Sequence, residues 1–90
     1  MLSLQTTTQY RKDRKQMMKR GLPMHLLDEV LQTLIDEKQL HARYRDHALT
    51  GNYAGLCACH IKPDWILIYA IDKGNMILTT TRTGSHSDLF

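Results

Sequence analysis

Apolar residues change their spacing along the chain, and each change predicts an element of secondary structure. Leu2 and Leu4 alternate with polar neighbours, which is typical of a short strand over residues 1–5. The run Thr6-Thr7-Thr8 offers hydroxyls for an N-cap, so we expect a helix from this run to Arg20, with Gly21 as its stop. We expect this helix to be half exposed, because few of its residues can contact a core; the candidates are Tyr10, Met17 and Met18.

The second predicted helix has the clearest pattern in the chain. Pro23 fits its first turn, and the pattern fades by Leu40. Gly21-Leu22-Pro23 separates the two helices, which indicates a helical hairpin. No period holds over residues 41–52, and we interpret them as a loop. The buried stripe of the second helix is formed by residues three and four positions apart: Leu27, Val30, Leu31 and Leu34.

Three further strands are predicted, over residues 53–60, 65–71 and 76–82. Lys62-Pro63-Asp64 and Asp72-Lys73-Gly74-Asn75 separate them, and both are turn sequences. The simplest connection is an antiparallel meander. The chain is therefore predicted to be an α+β domain in the order β-α-α-β-β-β, with an N-terminal strand and a two-helix hairpin packed on one face of a four-stranded, mainly antiparallel sheet.

Length and composition limit the classes of protein to consider. Ninety residues suffice for one domain, which we expect to span residues 1–90. With 42% hydrophobic and 23% charged residues, the chain has the composition of an ordinary folded domain. No stretch approaches the roughly 20 apolar residues that span a bilayer, and residues 1–20 are polar and basic. We therefore expect a cytoplasmic protein with no membrane partner.

Positive charge is concentrated in the first predicted helix. The formal net charge is +3, yet this one segment holds six of the 12 basic residues and a single acid, Asp13. A basic stripe on a nearly neutral body suits a polyanion such as RNA, since binding releases condensed counterions. A solvated helix face would show the same pattern. The six residues are Arg11, Lys12, Arg14, Lys15, Lys19 and Arg20.

The two cysteines favour a structural interpretation. Cys57 and Cys59 are two positions apart in a predicted strand, so their side chains share a face. This spacing suits neither a disulfide nor the usual zinc knuckle. We expect both to act as small apolar residues.

Groups that exchange protons near neutral pH are concentrated in the second half of the chain. His60 ends one predicted strand and Asp64 starts the next, so both lie at one edge of the sheet. His47 lies in the loop, and Arg82 and His86 follow the last strand. Two histidines can act as an acid and a base, and a cation can stabilise the transition state of phosphoryl chemistry. If RNA is the substrate, its 2′-hydroxyl supplies the nucleophile, and neither metal nor cofactor is required.

Each of these residues also has a structural explanation. His47 could be solvated, His60 and Asp64 could simply pair across their turn, and His86 could lie in a frayed tail. Arg82 could be an ordinary surface residue. Trp65, Leu67 and Tyr69 have the period of two expected of core residues, rather than of a platform for stacking bases.

Three stretches resemble the signature segments of YafQ-type toxins, a branch of the RelE/ParE superfamily. Their order and spacing match, and the resemblance covers the whole chain. It implies a RelE-like fold. The three stretches are Asp46-His47-Ala48-Leu49-Thr50-Gly51, His60-Ile61-Lys62-Pro63-Asp64-Trp65 and Arg82-Thr83-Gly84-Ser85-His86-Ser87-Asp88-Leu89-Phe90.

The resemblance also implies a function. Members of the family are metal-independent mRNA interferases that enter the ribosomal A site, cleave the message and are neutralised by a cognate antitoxin; the complex of toxin and antitoxin is expected to bind operator DNA. The acid/base group is then His47, His60, Asp64 and His86. Arg82 becomes the phosphate-binding cation and Phe90 the aromatic that positions RNA. Further RNA contacts are expected from Arg11, Lys12 and Lys15 on the first helix.

The chain departs from the family pattern just before His60. Family members commonly carry an aromatic, an arginine and an acid there, whereas this chain has Leu56-Cys57-Ala58. A cationic contact to the phosphate is then in doubt, and Lys62 is the candidate to replace it.

Three other functions are compatible with parts of the pattern. The same fold could bind a ribosome or an antitoxin without cutting RNA. Three histidines and a carboxylate could hold zinc in a hydrolase, although their spacing is not that of a known zinc motif. A gyrase inhibitor of the ParE branch is the third alternative, and the histidine-bearing segments favour RNA cleavage over it.

Overall fold

The computed structural model describes residues 1–90 as one five-stranded sheet with helices on both faces. No helix is long and apolar enough to cross a membrane. Short 3-10 helices at Ala42–Tyr44 and Gly51–Tyr53 lie on either side of β2. In chain order the elements are β1 (Ser3–Thr6), α1 (Thr8–Lys19), α2 (Met24–Ile35), β2 (His47–Ala48), β3 (Cys57–Lys62), β4 (Trp65–Asp72), β5 (Ile77–Gly84) and α3 (His86–Leu89).

The strand order across the sheet is β1-β5-β4-β3-β2. β1 runs parallel to β5, and the other neighbours are antiparallel, so the α+β prediction of a mainly antiparallel sheet is confirmed. The sheet has five strands rather than four, because His47 and Ala48, placed in a loop by the sequence, pair with Ala58 and Cys57. β3 begins at Cys57 rather than at residue 53, since residues 51–55 form a 3-10 helix and a turn.

The start of α1 is capped by Thr7, which accepts a hydrogen bond from the Tyr10 N–H at 3.0 Å. Both long helices end in the same backbone motif. Gly21 follows α1 with a φ of +82°, and Glu37 follows α2 with a φ of +59°. In each case the N–H of this residue and the N–H of the residue after it donate to carbonyls of the last turn, as in a Schellman motif. α2 therefore stops at Ile35, earlier than the sequence pattern indicates, because a glutamate adopts the conformation usually given to glycine.

The sheet has a separate hydrophobic cluster on each face. α1 and α2 cover the face formed by alternate strand residues such as Leu67 and Leu78. The opposite face carries a small cluster of Ala58, Ile66 and Ile68 under Leu89 of α3. Trp65, Leu67 and Tyr69 belong to the larger cluster, as expected of core residues. Met18 was expected to contact this core, but its side chain is 56% exposed because it points away from the sheet.

A bulge in β5 changes which residues share a face. Leu78 and Thr80 are buried under the helices, and strict alternation would place Arg82 with them. The register shifts by one residue between Ile68 and Tyr69, so that Arg82 pairs with Ile68 on the opposite face. Arg82 therefore lies on the face covered by α3, and Thr83 takes the inward position.

Candidate active site

The sheet register lines up three of the predicted site residues on the α3 face. His47 pairs with Ala58, Ala58 with Ile68, and Ile68 with Arg82, which makes one continuous row across four strands. His60 lies two positions along β3 from Ala58, on the same face. At about 4.8 Å per strand, the backbones of His47 and Arg82 are roughly 14 Å apart. The row therefore has a histidine end and an arginine end.

α3 is built to hold His86 over this face. Ser85 and Asp88 form a capping box at its start, in which the Asp88 carboxylate accepts from the Ser85 N–H at 2.9 Å. The same carboxylate binds Arg20, the residue directly after α1, through two hydrogen bonds of 2.7 and 3.0 Å. A side chain at position 84 would displace Asp88, because a Cβ there would lie 2.9 Å from the Cβ of Asp88. His86 is thus part of a short capped helix and not of a frayed tail.

His86 and Asp64 form a direct pair. Oδ1 of Asp64 accepts from the His86 backbone N–H at 2.9 Å and lies 2.8 Å from Nδ1 of the ring. Both side chains are exposed, at 58% and 68%. The bonds from His86 hold the pKa of Asp64 below its usual range, so Asp64 stays ionised at neutral pH. The ionised carboxylate fixes a proton on Nδ1 and leaves Nε2 of His86 free for chemistry.

His60 lies between the two other histidines. Its ring centroid is 6.3 Å from that of His47 and 5.5 Å from that of His86. Partial burial lowers the pKa of His60, and the neighbouring charges of His86, Arg45 and His47 lower it further. Nδ1 of His60 is buried without a hydrogen-bond partner. His60 is therefore neutral at pH 7, as a general base needs to be.

The hydrogen bond of His47 determines which of its nitrogens is free. Nδ1 lies 2.7 Å from the carbonyl oxygen of Arg45, which can only accept, so Nδ1 carries the proton. Nε2 of the neutral ring then has a free lone pair. Asp46, next to His47, is bound by the hydroxyl of the buried Tyr69. The loop that carries His47 is thus attached to the core of the sheet.

Arg82, at the other end of the row, already has a partner. Its Nε donates to Asp13 of α1 at 2.7 Å and its Nη2 donates at 3.3 Å. Asp13 also accepts hydrogen bonds from the Thr83 N–H at 3.2 Å and from Gln9 at 3.0 Å. It thus gives a partner to the Thr83 backbone, which lies on the edge of β5 beyond the end of β1. Burial alone would raise the pKa of Asp13, but these hydrogen bonds lower it overall. Both N–H groups of Nη1 of Arg82 remain for a ligand.

Phe90 lies against the histidine end through an aromatic contact. Its ring meets Tyr53 edge-on at 5.5 Å between centroids and lies 6.3 Å from His86. The Tyr53 hydroxyl donates to the Leu89 carbonyl at 3.2 Å, which holds α3 in place. The Phe90 side chain itself is 60% exposed, so its ring is accessible to a base or another aromatic group.

Some basic side chains in and next to α1 form ion pairs and hydrogen bonds within the protein. Arg14 pairs with Asp28, Arg20 with Asp88, and Arg11 donates to Thr6 and Thr8. At 100° per residue, the exposed basic side chains lie within an arc of about 100°, opposite the buried Tyr10, Asp13 and Met17. This exposed stripe consists of Arg11, Lys12, Lys15 and Lys19.

The departure from the family pattern is less serious than the sequence suggests. Cys57 pairs with Tyr69 and packs on the helix-covered face of the sheet, whereas His60 lies on the other face. An arginine at position 57 would thus start on the opposite side from the histidines. Cys59 is buried, as expected, and burial raises its pKa to about 12, whereas Cys57 is only half-buried; both are free thiols.

Sequence reasoning missed several residues that shape the site. Asp13 was noted only as an interruption of a basic run, although its spacing from Tyr10 and Met17 places it on the buried face of α1. Asp88 and Gly84 lie within a signature segment, where Ser85 followed three residues later by an acid is a capping signal. Tyr53 gave no signal, because its contacts depend on tertiary structure.

Among known protein families, one matches almost the whole chain. A family model described as a bacterial toxin of type II toxin-antitoxin systems, YafQ, matches residues 2–90. This chain belongs to the YafQ toxin family. Within it, the chain is 43% identical to the mRNA interferase toxin YafQ of Escherichia coli K12 over 84 residues, covering 91% of this chain and 88% of that protein.

Solved structures of similar proteins extend over the whole chain. A metal-bound toxin from Helicobacter pylori has a TM-score of 0.94 at 40% identity, with 100% of both chains covered. YafQ in the E. coli DinJ-YafQ complex has a TM-score of 0.91 at 35% identity, covering 100% of this chain and 99% of that one. The family fold is thus shown along the full length.

The metal-bound relative makes it necessary to test the histidine end as a metal site. No three His, Cys, Asp or Glu side chains are grouped so that they could hold one ion. Asp64 and Nδ1 of His86 are bonded to each other rather than directed at a common point. The residues as arranged do not fit a metal centre, and we assign no step to a metal.

Proposed function

We propose that this protein is the toxin of a toxin-antitoxin pair and an endoribonuclease that cuts mRNA on the ribosome by metal-independent acid/base catalysis. The observation that carries the proposal is the group of three imidazoles in which the His60 ring lies 6.3 Å from His47 and 5.5 Å from His86, and His86 is paired with Asp64. The name of the E. coli relative, an mRNA interferase, supports the substrate class.

His60 is the general base in the proposed reaction. Because its pKa is lowered, the neutral ring is available to take the proton of a ribose 2′-hydroxyl. The 2′-oxygen then attacks the adjacent phosphorus and forms a 2′,3′-cyclic phosphate. His47, with its free Nε2, lies beside His60 and orients the same hydroxyl.

His86 is the general acid. The bond between phosphorus and the 5′-oxygen breaks as the leaving oxygen takes a proton from Nε2 of the imidazolium. Asp64 stabilises that positive charge through Nδ1, so the pair acts as one unit. The proton lost from the 2′-hydroxyl and the proton gained by the 5′-oxygen balance. The two roles fall to His60 and His86, whose centroids are 5.5 Å apart.

Arg82 binds a phosphate oxygen through Nη1 while Asp13 holds the rest of the guanidinium. A cation fixed in advance stabilises charge on the transition state without reorganising during the reaction. Phe90 stacks on a base of the message or of ribosomal RNA, because its ring is exposed beside His86. Arg11, Lys12 and Lys15 contact ribosomal RNA from the exposed stripe of α1.

Neutralisation by a cognate antitoxin is part of the proposal. It is supported by the structure of the related E. coli toxin in the DinJ-YafQ complex. We propose that operator DNA is bound only through such a complex, and that the free toxin acts in the cytoplasm.

The test is message cleavage in a translating extract, mapped by primer extension for the wild type and His86→Ala. We expect cuts that require translation, persist with a chelator that removes transition metals but spares the Mg²⁺ of the ribosome, and fall by about 10²-fold or more in the variant. Growth arrest with intact message would instead favour a binding module that does not cut RNA. Cleavage abolished by the transition-metal chelator while translation continues, and restored by an added transition metal, would contradict the metal-free mechanism.

A further inference from the structure

A basic pocket adjoins the histidine end of the site. Its volume is about 330 Å³, and one wall is formed by His60. Three cations line it and no acid does. The lining cations, called the pocket cations below, are Arg43, Arg45 and Lys62.

The pocket cations have no carboxylate partners. The structure has five ion pairs, and none of them includes any of the three. All three side chains are exposed, so their charges remain available to a ligand. Other unpaired lysines are scattered over the surface, whereas these three charges converge on one concave space. Like charges placed together raise the free energy of the unliganded protein, and an anion relieves that repulsion.

The backbone and a neighbouring ring hold two of these cations in place. Arg45 has a φ of +49°, a left-handed conformation that is unfavourable for a residue other than glycine. Its carbonyl is the acceptor for Nδ1 of His47, so the same residue serves the site and the pocket. The Arg43 guanidinium lies 4.9 Å from the centroid of the Tyr44 ring and donates to the Tyr44 hydroxyl at 3.0 Å. Arg43 is therefore positioned before any ligand arrives.

We propose that Arg43, Arg45 and Lys62 bind a phosphate of the RNA strand next to the phosphate that is cut. This inference rests on the proposed function and extends it, because it names the contact that fixes the strand on the His60 side. The ligand is anionic, since three cations and no acid line the pocket. The position of the bound phosphate follows from His60, which belongs both to the site and to the pocket wall. An RNA strand whose 2′-hydroxyl contacts His60 would continue directly into the pocket.

The pocket also answers the question raised by Leu56-Cys57-Ala58. The family arginine at position 57 would start on the opposite face of the sheet, whereas Lys62 follows His60 by two residues and lines the pocket. Arg82 holds the strand from the other end of the row. Two anchors on opposite sides of the imidazoles would fix the direction in which the strand crosses the site.

The first experiment measures binding without cleavage. The probe is a short single-stranded RNA with 2′-O-methyl riboses, which cannot be cut by 2′-oxygen attack. We compare the double variant R43Q/K62Q with K38Q/K73Q, which removes the same charge from exposed positions outside the pocket. We expect Kd to rise by about tenfold in R43Q/K62Q only. The slope of log K against log salt should become shallower by about 0.7, the value for one phosphate contact.

The second experiment measures cleavage in a reconstituted translation system. R43Q/K62Q should raise KM for the ribosome-bound message with little change in kcat, because the contact holds substrate and transition state alike. If the wild type cuts and KM is unchanged in R43Q/K62Q, the pocket proposal is wrong and the proposed function stands. If the wild type cuts nothing but R43Q/K62Q still loses RNA binding, the proposed function is wrong and the RNA contact stands.

Two further results would overturn the pocket proposal. Equal loss of RNA binding in R43Q/K62Q and K38Q/K73Q would show an effect of net charge alone. Unchanged RNA binding with weaker binding of an antitoxin would assign the pocket to a protein partner instead.

Discussion

The histidine end and the arginine end of the row across the sheet differ in how many of their polar groups have hydrogen-bond partners. At the arginine end, Asp13 accepts four hydrogen bonds from three residues and joins α1 to β5. At the histidine end, the His60 Nδ1 has no partner and the Nε2 atoms of His47 and His86 are free. One end is built for stability with a little binding capacity left over, and the other leaves imidazole nitrogens without hydrogen-bond partners.

The difference shows that residues of one signature can have different physical roles. Arg82 and His86 are four positions apart in the sequence, yet the first is anchored to a helix while the second is exposed. A change at the histidine end should therefore alter chemistry with little effect on folding. A change at the arginine end should lower stability, because Arg82 and Asp13 join α1 to β5, and a change at Arg82 itself should also weaken the proposed phosphate contact.

The largest expected effect is on activity, from His60→Gln. Removing the base should lower the cleavage rate by about 10²- to 10⁴-fold. The free energy of unfolding should change by less than about 0.5 kcal/mol, because the ring is only partly buried and its Nδ1 makes no hydrogen bond. Primer extension and urea unfolding measure the two quantities. A large loss of stability would show that His60 is primarily structural.

The next effect is on stability, from Asp13→Ala. The variant leaves Arg82 and the Thr83 N–H without an acceptor, which should cost about 2 to 3 kcal/mol. Asp28→Ala is the matched control on the same helix pair, because its ion pair with Arg14 is largely exposed and worth about 0 to 1 kcal/mol. Urea titration measures both. Equal losses would contradict the structural role of Asp13.

A smaller effect on the free energy of unfolding is expected at acidic pH. Because the pKa of Asp13 is lowered in the folded state, unfolded chains bind more protons when the pH falls below about 4. The stabilisation from ionised Asp13 is complete above that pH and is lost as the pH falls through the unfolded and then the folded pKa. The free energy of unfolding of Asp13→Asn should fall less steeply over that range. Asp64 and Asp88 have lowered pKa values too, so some acid sensitivity will remain.

The smallest effect is a shift in the pH profile of cleavage. Arg45 is one of the charges that lower the pKa of His60, so Arg45→Gln should move the acidic limb of kcat/KM to higher pH. The other groups acting on His60 are His86 and His47, which lower its pKa as well, and Asp64, which raises it. Lys62→Gln is the control and should leave the limb in place. An equal shift in both variants would count against His60 as the base.

The sequence predicted the fold well where local patterns decide it. The stripe of Leu27, Val30, Leu31 and Leu34 is buried, and the turn residues mark the hairpins of the meander. The ends of elements depended on conformations that composition does not indicate. Glu37 ends α2 in a left-handed conformation, and His47 joins the sheet only because β3 offers a free edge.

The candidate site was less predictable, because its geometry is tertiary. The sequence identified His47, His60 and His86, but their closeness follows from strand register and from α3 folding back over the sheet. Asp64 was expected near His60 and pairs instead with His86. The bulge reverses the face on which alternation would place Arg82, and Asp13 comes from about 70 residues away.

The parallel pairing of β1 with β5 has a consequence for folding kinetics. The helical hairpin and the meander each contain mostly local contacts, whereas Ser3 pairs with Ile77 and Thr7 bonds to the Thr81 carbonyl. Closing such a long loop is entropically costly, so this step should limit the folding rate. Arg82 gains its Asp13 partner only when that step is complete. The proposed phosphate contact of Arg82 would therefore be completed last, and a partly folded chain would lack the fixed guanidinium.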